Sequence, residues 1–142
     1  MNLGSNQGMP ELIREIAWNF GARGLQGECC GGLLQPEFRT LCLAFEQSQC
    51  SMQEIAGSLG ITKSGVTRLV NRLEEKGFVE RQRSPEDGRV CCVTVTPPGR
   101  ALVKAISRQN QGRIDRIMAK IDPAMREVIE TALRSFVQAI QD

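Results

Sequence analysis

Two short helices with a tight connection constrain this chain more than any other feature. Ser51 and Glu54 have the spacing of a capping box, in which a hydroxyl and a carboxylate bind the free backbone amides of a helix start. Gly60 ends this helix, Thr62 is a favourable N-cap for the next one, and Gly77 stops that one. The pattern predicts a helix-turn-helix, with "LGIT" between the helices.

The residue pattern changes after this pair of helices. The stretches "FVERQRS" and "RVCCVTV" are typical of β-strands, and the turn-forming "PEDG" lies between them. We therefore expect a β-hairpin with a charged tip directly after the second helix, and the chain as a whole to be mainly α with one small β element.

Helical patterns flank this core on both sides. Pro10 and Pro36 begin two of them, Pro97 begins a long one that runs to about Ile121, and Pro123 begins the last. The last helix has a continuous apolar stripe: Met125, Val128, Ile129, Ala132, Leu133, Phe136, Val137 and Ile140. One domain does not need so much apolar helix for its own core, so we expect the chain ends to pack against a second copy.

Composition excludes several classes of protein. The chain has 142 residues, of which 41% are hydrophobic and 24% charged, as in a globular domain. It has neither an apolar run long enough to span a membrane nor a signal-peptide pattern at its start, so we expect a cytoplasmic protein with no membrane partner. With no histidine, no phosphate-binding glycine loop and no paired-carboxylate motif, the chain is not expected to be an enzyme.

The net charge of +2 is too small to indicate an anionic partner, so the positions of the charges matter. The second helix of the pair has a polar face of donors, acceptors and cations: Lys63, Ser64, Thr67, Arg68, Asn71 and Arg72. Such a face suits base edges and phosphates in a major groove, although a merely solvated face looks the same. The hairpin favours DNA, because Arg81, Arg83 and Arg89 lie on or beside its strands and an arginine next to the turn, such as Arg89, suits the minor groove. Asp87 could orient Arg89 or simply cap the turn.

The stretch "SMQEIAGSLGITKSGVTRLVNRLEEKGFVERQRSPEDGRVCCVTVTPPG" resembles the winged helix-turn-helix core of the MarR family of bacterial transcriptional regulators. The resemblance covers residues 36–106 and includes "RLEEKGFVER", "DGR" and "VTPPG" in the family's order. It implies one domain over 1–142, with a DNA-binding core at 36–96 and a helical dimerisation region at 10–34 and 97–142. It also implies a homodimer that reads a pseudo-palindromic operator, as a repressor relieved by a ligand or by thiol chemistry.

Six cysteines raise the question of that relieving signal. Cys29 and Cys30 are too close to form an ordinary disulfide with each other, since adjacent Cα atoms lie about 3.8 Å apart. Together with a third sulfur from Cys42, Cys50 or a partner chain, they could bind arsenite, Cu(I) or zinc. Cys42 also suits a core position, and the helix start after Cys50 is expected to lower the pKa of its thiol.

Other interpretations of the cysteines stay open. Cys29 and Cys30 lie among glycines and are equally compatible with two small residues in a loop. An oxidant could be the signal instead of a metal, and a small organic molecule at the dimer interface could replace thiol chemistry altogether. A thiol-based metal-binding or redox protein that never binds DNA is a further alternative, but it would need neither the polar helix face nor Arg89.

Overall fold

The computed structural model describes residues 7–21 and 31–142. Over these residues the helices and strands follow in the order α1 (Met9–Phe20), α2 (Gln35–Gln47), β1 (Cys50–Ser51), α3 (Met52–Leu59), α4 (Lys63–Glu75), β2 (Val79–Arg83), β3 (Cys91–Val95), α5 (Pro97–Met118) and α6 (Pro123–Gln141). The mainly α class with a small sheet is confirmed. Within the described part of the chain, no helix is long and apolar enough to cross a membrane.

The chain forms two compact units, and the boundary between Lys104 and Ala105 falls inside α5. The first unit contains the helix-turn-helix and the sheet, and the second contains the rest of α5 with α6. The division into a DNA-binding core at 36–96 and a dimerisation region at 10–34 and 97–142 remains a prediction.

Local capping forms the helix-turn-helix as the sequence predicts. The Ser51 hydroxyl accepts the Glu54 amide at 3.1 Å, and the Glu54 carboxylate accepts the Ser51 amide at 2.8 Å. Gly60 closes α3 with a φ of 65°, in the left-handed region that favours glycine. Thr62 then caps α4 by accepting the Gly65 amide at 3.2 Å.

The core of the first unit lies between the helix-turn-helix and the sheet. Its fully buried side chains come from both helices of the pair, from α2 and the segment just before it, and from the strands: Leu33, Leu41, Ile55, Val66, Val70, Leu73, Val79 and Val93. The apolar face of α4 is therefore covered, which leaves its polar face to solvent.

The sheet has three antiparallel strands in the order β1-β3-β2, where the sequence pattern predicted only the β2–β3 hairpin. The extra strand pairs Cys50 with Val93 and Ser51 with Cys92. A strand of two residues is too short to show the alternation of apolar and polar residues from which strands are predicted. It forms because the backbone groups along one edge of β3 are available for pairing. This pairing connects the start of α3 to the wing.

A single threonine joins the sheet to α5. The Thr96 hydroxyl donates to the Gly77 carbonyl at 2.6 Å and accepts the Gly99 amide at 3.2 Å, while the Thr96 amide donates to Phe78 at 3.0 Å. A Cβ on Gly99 would lie 2.1 Å from the Phe78 carbonyl oxygen, so only glycine allows this approach. The end of α4, the start of β2 and the start of α5 are therefore fixed at one point.

The helices at the chain ends leave their apolar faces uncovered within one copy. In α1, Leu12, Ile16 and Phe20 are exposed, and no residue of that helix is buried. In α6, Leu133, Phe136 and Val137 are exposed, and again no residue is buried. Exposed apolar faces of this kind are typical of interaction surfaces.

Candidate nucleic-acid interface

The predicted reading face of α4 is present on one side of the helix. Val66, Leu69, Val70 and Leu73 face the core, whereas the predicted DNA-binding side chains are all exposed: Lys63, Ser64, Thr67, Arg68, Asn71 and Arg72. Ser64 lies 3.1 Å from the Thr62 hydroxyl, and the Thr67 hydroxyl donates back to the Lys63 carbonyl at 3.0 Å. The structure thus brings these six side chains together at the surface.

Arg72 also has a structural partner. Its guanidinium lies 3.8 Å from the Glu37 carboxylate, which is buried to 2% exposure and lies 3.1 Å from Lys76. The same carboxylate accepts the Leu34 amide at 3.0 Å, capping the start of α2. Sequence reasoning missed this cluster, because nothing local relates Glu37 to α4.

Arg81 is the second residue that sequence reasoning left out of the site. From β2 it donates to the Asn71 side-chain oxygen and, at 3.5 Å, to the Thr67 carbonyl. Its Nε lies 3.7 Å from the Glu74 carboxylate. These three partners are spaced four and three residues apart on α4, so Arg81 connects the wing to one stripe of the reading helix.

The wing is closed by two of the predicted site residues. Arg83 donates to the Gly88 carbonyl at 2.9 Å, and the Asp87 carboxylate accepts the Arg89 amide at 3.0 Å. Of the two roles considered for Asp87, turn capping is the one with a hydrogen bond in the structure. The Arg89 residue is exposed at the tip.

The cysteines differ in their surroundings. Cys29 and Cys30 lie outside the described residues. Cys42 and Cys91 are partly buried, and Cys50 is fully buried. Burial raises the pKa of the Cys50 thiol from 9.0 to about 11, with Glu54 adding to the effect, so the expected lowering by the helix start is wrong. In 7–21 and 31–142, no three Cys, Asp or Glu side chains are grouped to hold a metal ion.

A helix-turn-helix followed by a hairpin wing defines the winged helix-turn-helix class. The model of the MarR family matches residues 33–91. The HTH-type transcriptional repressor Rv2887 of Mycobacterium tuberculosis is 31% identical over 97 residues, which are 68% of this chain and 70% of that repressor. The chain therefore belongs to the MarR family.

Other similar proteins agree with this assignment. The uncharacterized HTH-type transcriptional regulator YdgJ of Bacillus subtilis is 27% identical over 75% of this chain, which spans only 65% of YdgJ. FabT of Streptococcus pneumoniae, solved in complex with DNA, superposes with a TM-score of 0.80 at 23% identity, over 94% of this chain and 96% of FabT. Rv2887 is a repressor and YdgJ a regulator, which agrees with the prediction that this chain is not an enzyme.

Proposed function

We propose that the protein is a homodimeric transcriptional repressor that binds a pseudo-palindromic operator. The observation that carries this proposal is the exposed polar face of α4 beside a wing with Arg89 at its tip. Both elements are held by buried contacts on their other side, so they can meet DNA without rearrangement of the core.

In this proposal α4 enters the major groove. Ser64, Thr67 and Asn71 supply short polar groups for base edges, while Lys63, Arg68 and Arg72 supply cations for phosphates. The wing reaches the neighbouring minor groove, where Arg89 meets the strong negative potential of a narrow groove. Arg83 and Asp87 support that contact by holding the turn.

A homodimer supplies two such reading surfaces. The uncovered apolar faces of α1 and α6 support it, because a second copy with the same faces would remove them from water. Two symmetric lobes require two symmetric half-sites, which gives the operator its pseudo-palindrome.

Footprinting of the purified protein on its own promoter region tests the proposal. We expect two protected half-sites whose centres lie about 10 bp apart, one turn of the double helix, or a multiple of that distance. A single protected half-site, or protection without sequence preference, would contradict it. A thiol protein that does not bind DNA would give no footprint at all.

For the signal that releases DNA, we propose a thiol-reactive effector at Cys29 and Cys30. Arsenite, Cu(I) and zinc suit two adjacent thiols that gain a third sulfur from Cys42 or from a partner chain. Cys50 does not support this role, because a buried thiol with a pKa of about 11 is protonated at neutral pH. Peroxide is the alternative thiol signal.

An organic acid is a second candidate effector, which a cavity in the second unit favours. This cavity of about 640 Å³ is lined by Arg113, Arg116, Ile117, Ala119 and Lys120. Its three cations suit a carboxylate, and the exposed side chains of Ile117 and Ala119 add a small apolar surface beside them. BpsR of Bordetella bronchiseptica, which has a TM-score of 0.67 to this chain, has its DNA binding regulated by 6-hydroxynicotinic acid.

A further inference from the structure

The contact between Arg81 and Asn71 determines which atoms Asn71 can offer to DNA. An asparagine side chain has one accepting oxygen and one donating NH₂ group, and it can present both to a ligand. In the structure the oxygen accepts a hydrogen bond from the Arg81 guanidinium. This bond uses one of the two lone pairs of the oxygen and places a positive charge beside it, so the NH₂ group is the less encumbered part of the side chain.

Chemistry fixes this orientation of the amide. The oxygen and nitrogen of an asparagine have nearly the same shape, so their positions must follow from the hydrogen-bond partners. A guanidinium has only donors, and it can therefore bind the oxygen of Asn71 but not its NH₂ group. Any rotation that turned the oxygen towards solvent would place two donors against each other.

Arg81 is itself held where it makes this contact. It lies on β2 opposite Val93 of β3, so its backbone belongs to the sheet. Its guanidinium is anchored on α4 by the Thr67 carbonyl on one side and the Glu74 carboxylate on the other. The side chain is 32% exposed, and these two contacts place its guanidinium beside Asn71.

We propose that Arg81 is a specificity-determining residue that makes Asn71 act mainly as a donor towards DNA. An asparagine with both groups available binds adenine through N6 and N7, because it accepts from one and donates to the other. With the Arg81 guanidinium on its oxygen, Asn71 has one lone pair left with a cation beside it, which disfavours accepting a hydrogen bond from adenine N6. It can donate to the acceptors of guanine (O6 and N7), to thymine O4, or to adenine N7 alone.

This inference rests on the proposed placement of α4 in the major groove, and the two can fail separately. Sequence preferences of the protein are measured by selection from a randomised operator, followed by sequencing of the bound fraction. The Asn71→Ala variant is selected first. The position in each half-site at which it loses the base preference of the wild type is the base pair that Asn71 contacts. Arg81→Met then removes the guanidinium and keeps most of the side-chain volume.

We expect Arg81→Met to raise the relative affinity for adenine at that position by about five-fold, which corresponds to 1 kcal/mol, the lower limit for a good bidentate base contact. In the Asn71→Ala background, Arg81→Met should leave the preference at that position unchanged. Arg81→Lys should retain the wild-type preference, because an ammonium also has donors only. Thermal melting of both Arg81 variants shows that they are folded.

Arg83→Met is the matched control, since it removes a cation from the same strand without touching Asn71. It should lower the affinity and leave the preference at the Asn71 position as it is. The inference is overturned if Arg81→Met, like Arg83→Met, leaves the base preference at the Asn71 position unchanged. It is also overturned if Asn71→Ala keeps every base preference of the wild type. Failure of the proposed function would appear differently, as a wild-type protein that selects no sequence.

Discussion

The carboxylate of Glu37 lies 3.1 Å from the ammonium of Lys76, a residue 39 positions further along the chain. The Glu37 side chain is almost completely buried, whereas Lys76 and Arg72 keep part of their surface in water. A buried carboxylate is costly unless cations and hydrogen bonds compensate its charge. The start of α2 and the end of α4 are therefore joined by a contact that neither helix can lose without cost.

Removing the Lys76 ammonium should destabilise the protein more than neutralising the Glu37 carboxylate. We expect Lys76→Met to lower the free energy of unfolding by about 2–3 kcal/mol, less than the full penalty for an unpaired buried charge because Arg72 remains nearby. Glu37→Gln should cost about 1 kcal/mol, because the amide oxygen still caps Leu34. Urea denaturation at one protein concentration measures both.

The exposed pair Arg134–Glu130 provides the control for this comparison. Arg134→Met should change the free energy of unfolding by less than about 0.5 kcal/mol, as is usual for surface ion pairs. Equal costs for Lys76→Met and Glu37→Gln would show that burial of the carboxylate does not govern the cluster.

Arg89→Ala should weaken DNA binding without affecting folding. The residue is exposed at the wing tip and supports no core, so the melting temperature should stay the same. Loss of one cation at the DNA should lower the slope of log affinity against log salt by about 1. Arg39→Ala, an exposed change on α2, is the control, and equal binding losses in the two variants would remove Arg89 from the interface.

A charge on the apolar face of α6 should break the dimer. Phe136 is 41% exposed in one copy and would be buried between two, so Phe136→Glu places an unpaired charge in that interface. We expect monomer or insoluble protein in sedimentation experiments, and the same for Ile129→Glu. Thr131→Glu, on the polar side of α6, should stay dimeric. Stable dimers in all three variants would contradict the assignment of this face.

Cys50 should resist alkylation at neutral pH. Only the thiolate reacts, and burial raises the pKa of Cys50 from 9.0 to about 11. The neutral thiol therefore stabilises the fold below pH 9, and this contribution is lost as the pH rises towards 11. Peptide mapping after iodoacetamide treatment should show Cys91 modified before Cys50 at pH 8, with the difference shrinking at higher pH. Faster modification of Cys50 would contradict this order.

The effector proposal predicts that Cys29→Ser and Cys30→Ser stay on DNA when wild type is released. An effector shifts the equilibrium only by its different affinity for two conformations, and a 20-fold difference supplies about 1.8 kcal/mol. DNA binding is titrated with arsenite, Cu(I), zinc and peroxide in turn. Cys92→Ser is the control, since Cys92 is buried in β3. Serine variants that respond like wild type would show that Cys29 and Cys30 are not the sensor.

Much of the fold follows from local rules. Ser51 and Thr62 each cap the helix that the sequence assigned to them, because a capping side chain acts on amides only two or three residues away. The exposed face of α4 was also predictable, since helical periodicity separates its buried and polar sides. The wing hairpin follows from its turn residues in the same way.

What the sequence did not reveal depends on residues far apart. Arg81 meets Asn71 across 10 positions, and Glu37 meets Lys76 across 39, so no periodicity relates them. The strand β1 exists only because β3 passes beside it. The pKa of Cys50 was misjudged for a related reason: proximity to a helix start is visible in the sequence, but burial against β3 is not.

The three hydrogen bonds of Thr96 have a mechanical consequence. They attach the first turn of α5 to the residues between the end of α4 and the start of β2. Because Gly99 has no Cβ, its backbone can lie directly against the Phe78 carbonyl. The first turn of α5 is therefore attached directly to the end of the reading helix and to the start of the wing, so a displacement of that turn would be passed to both.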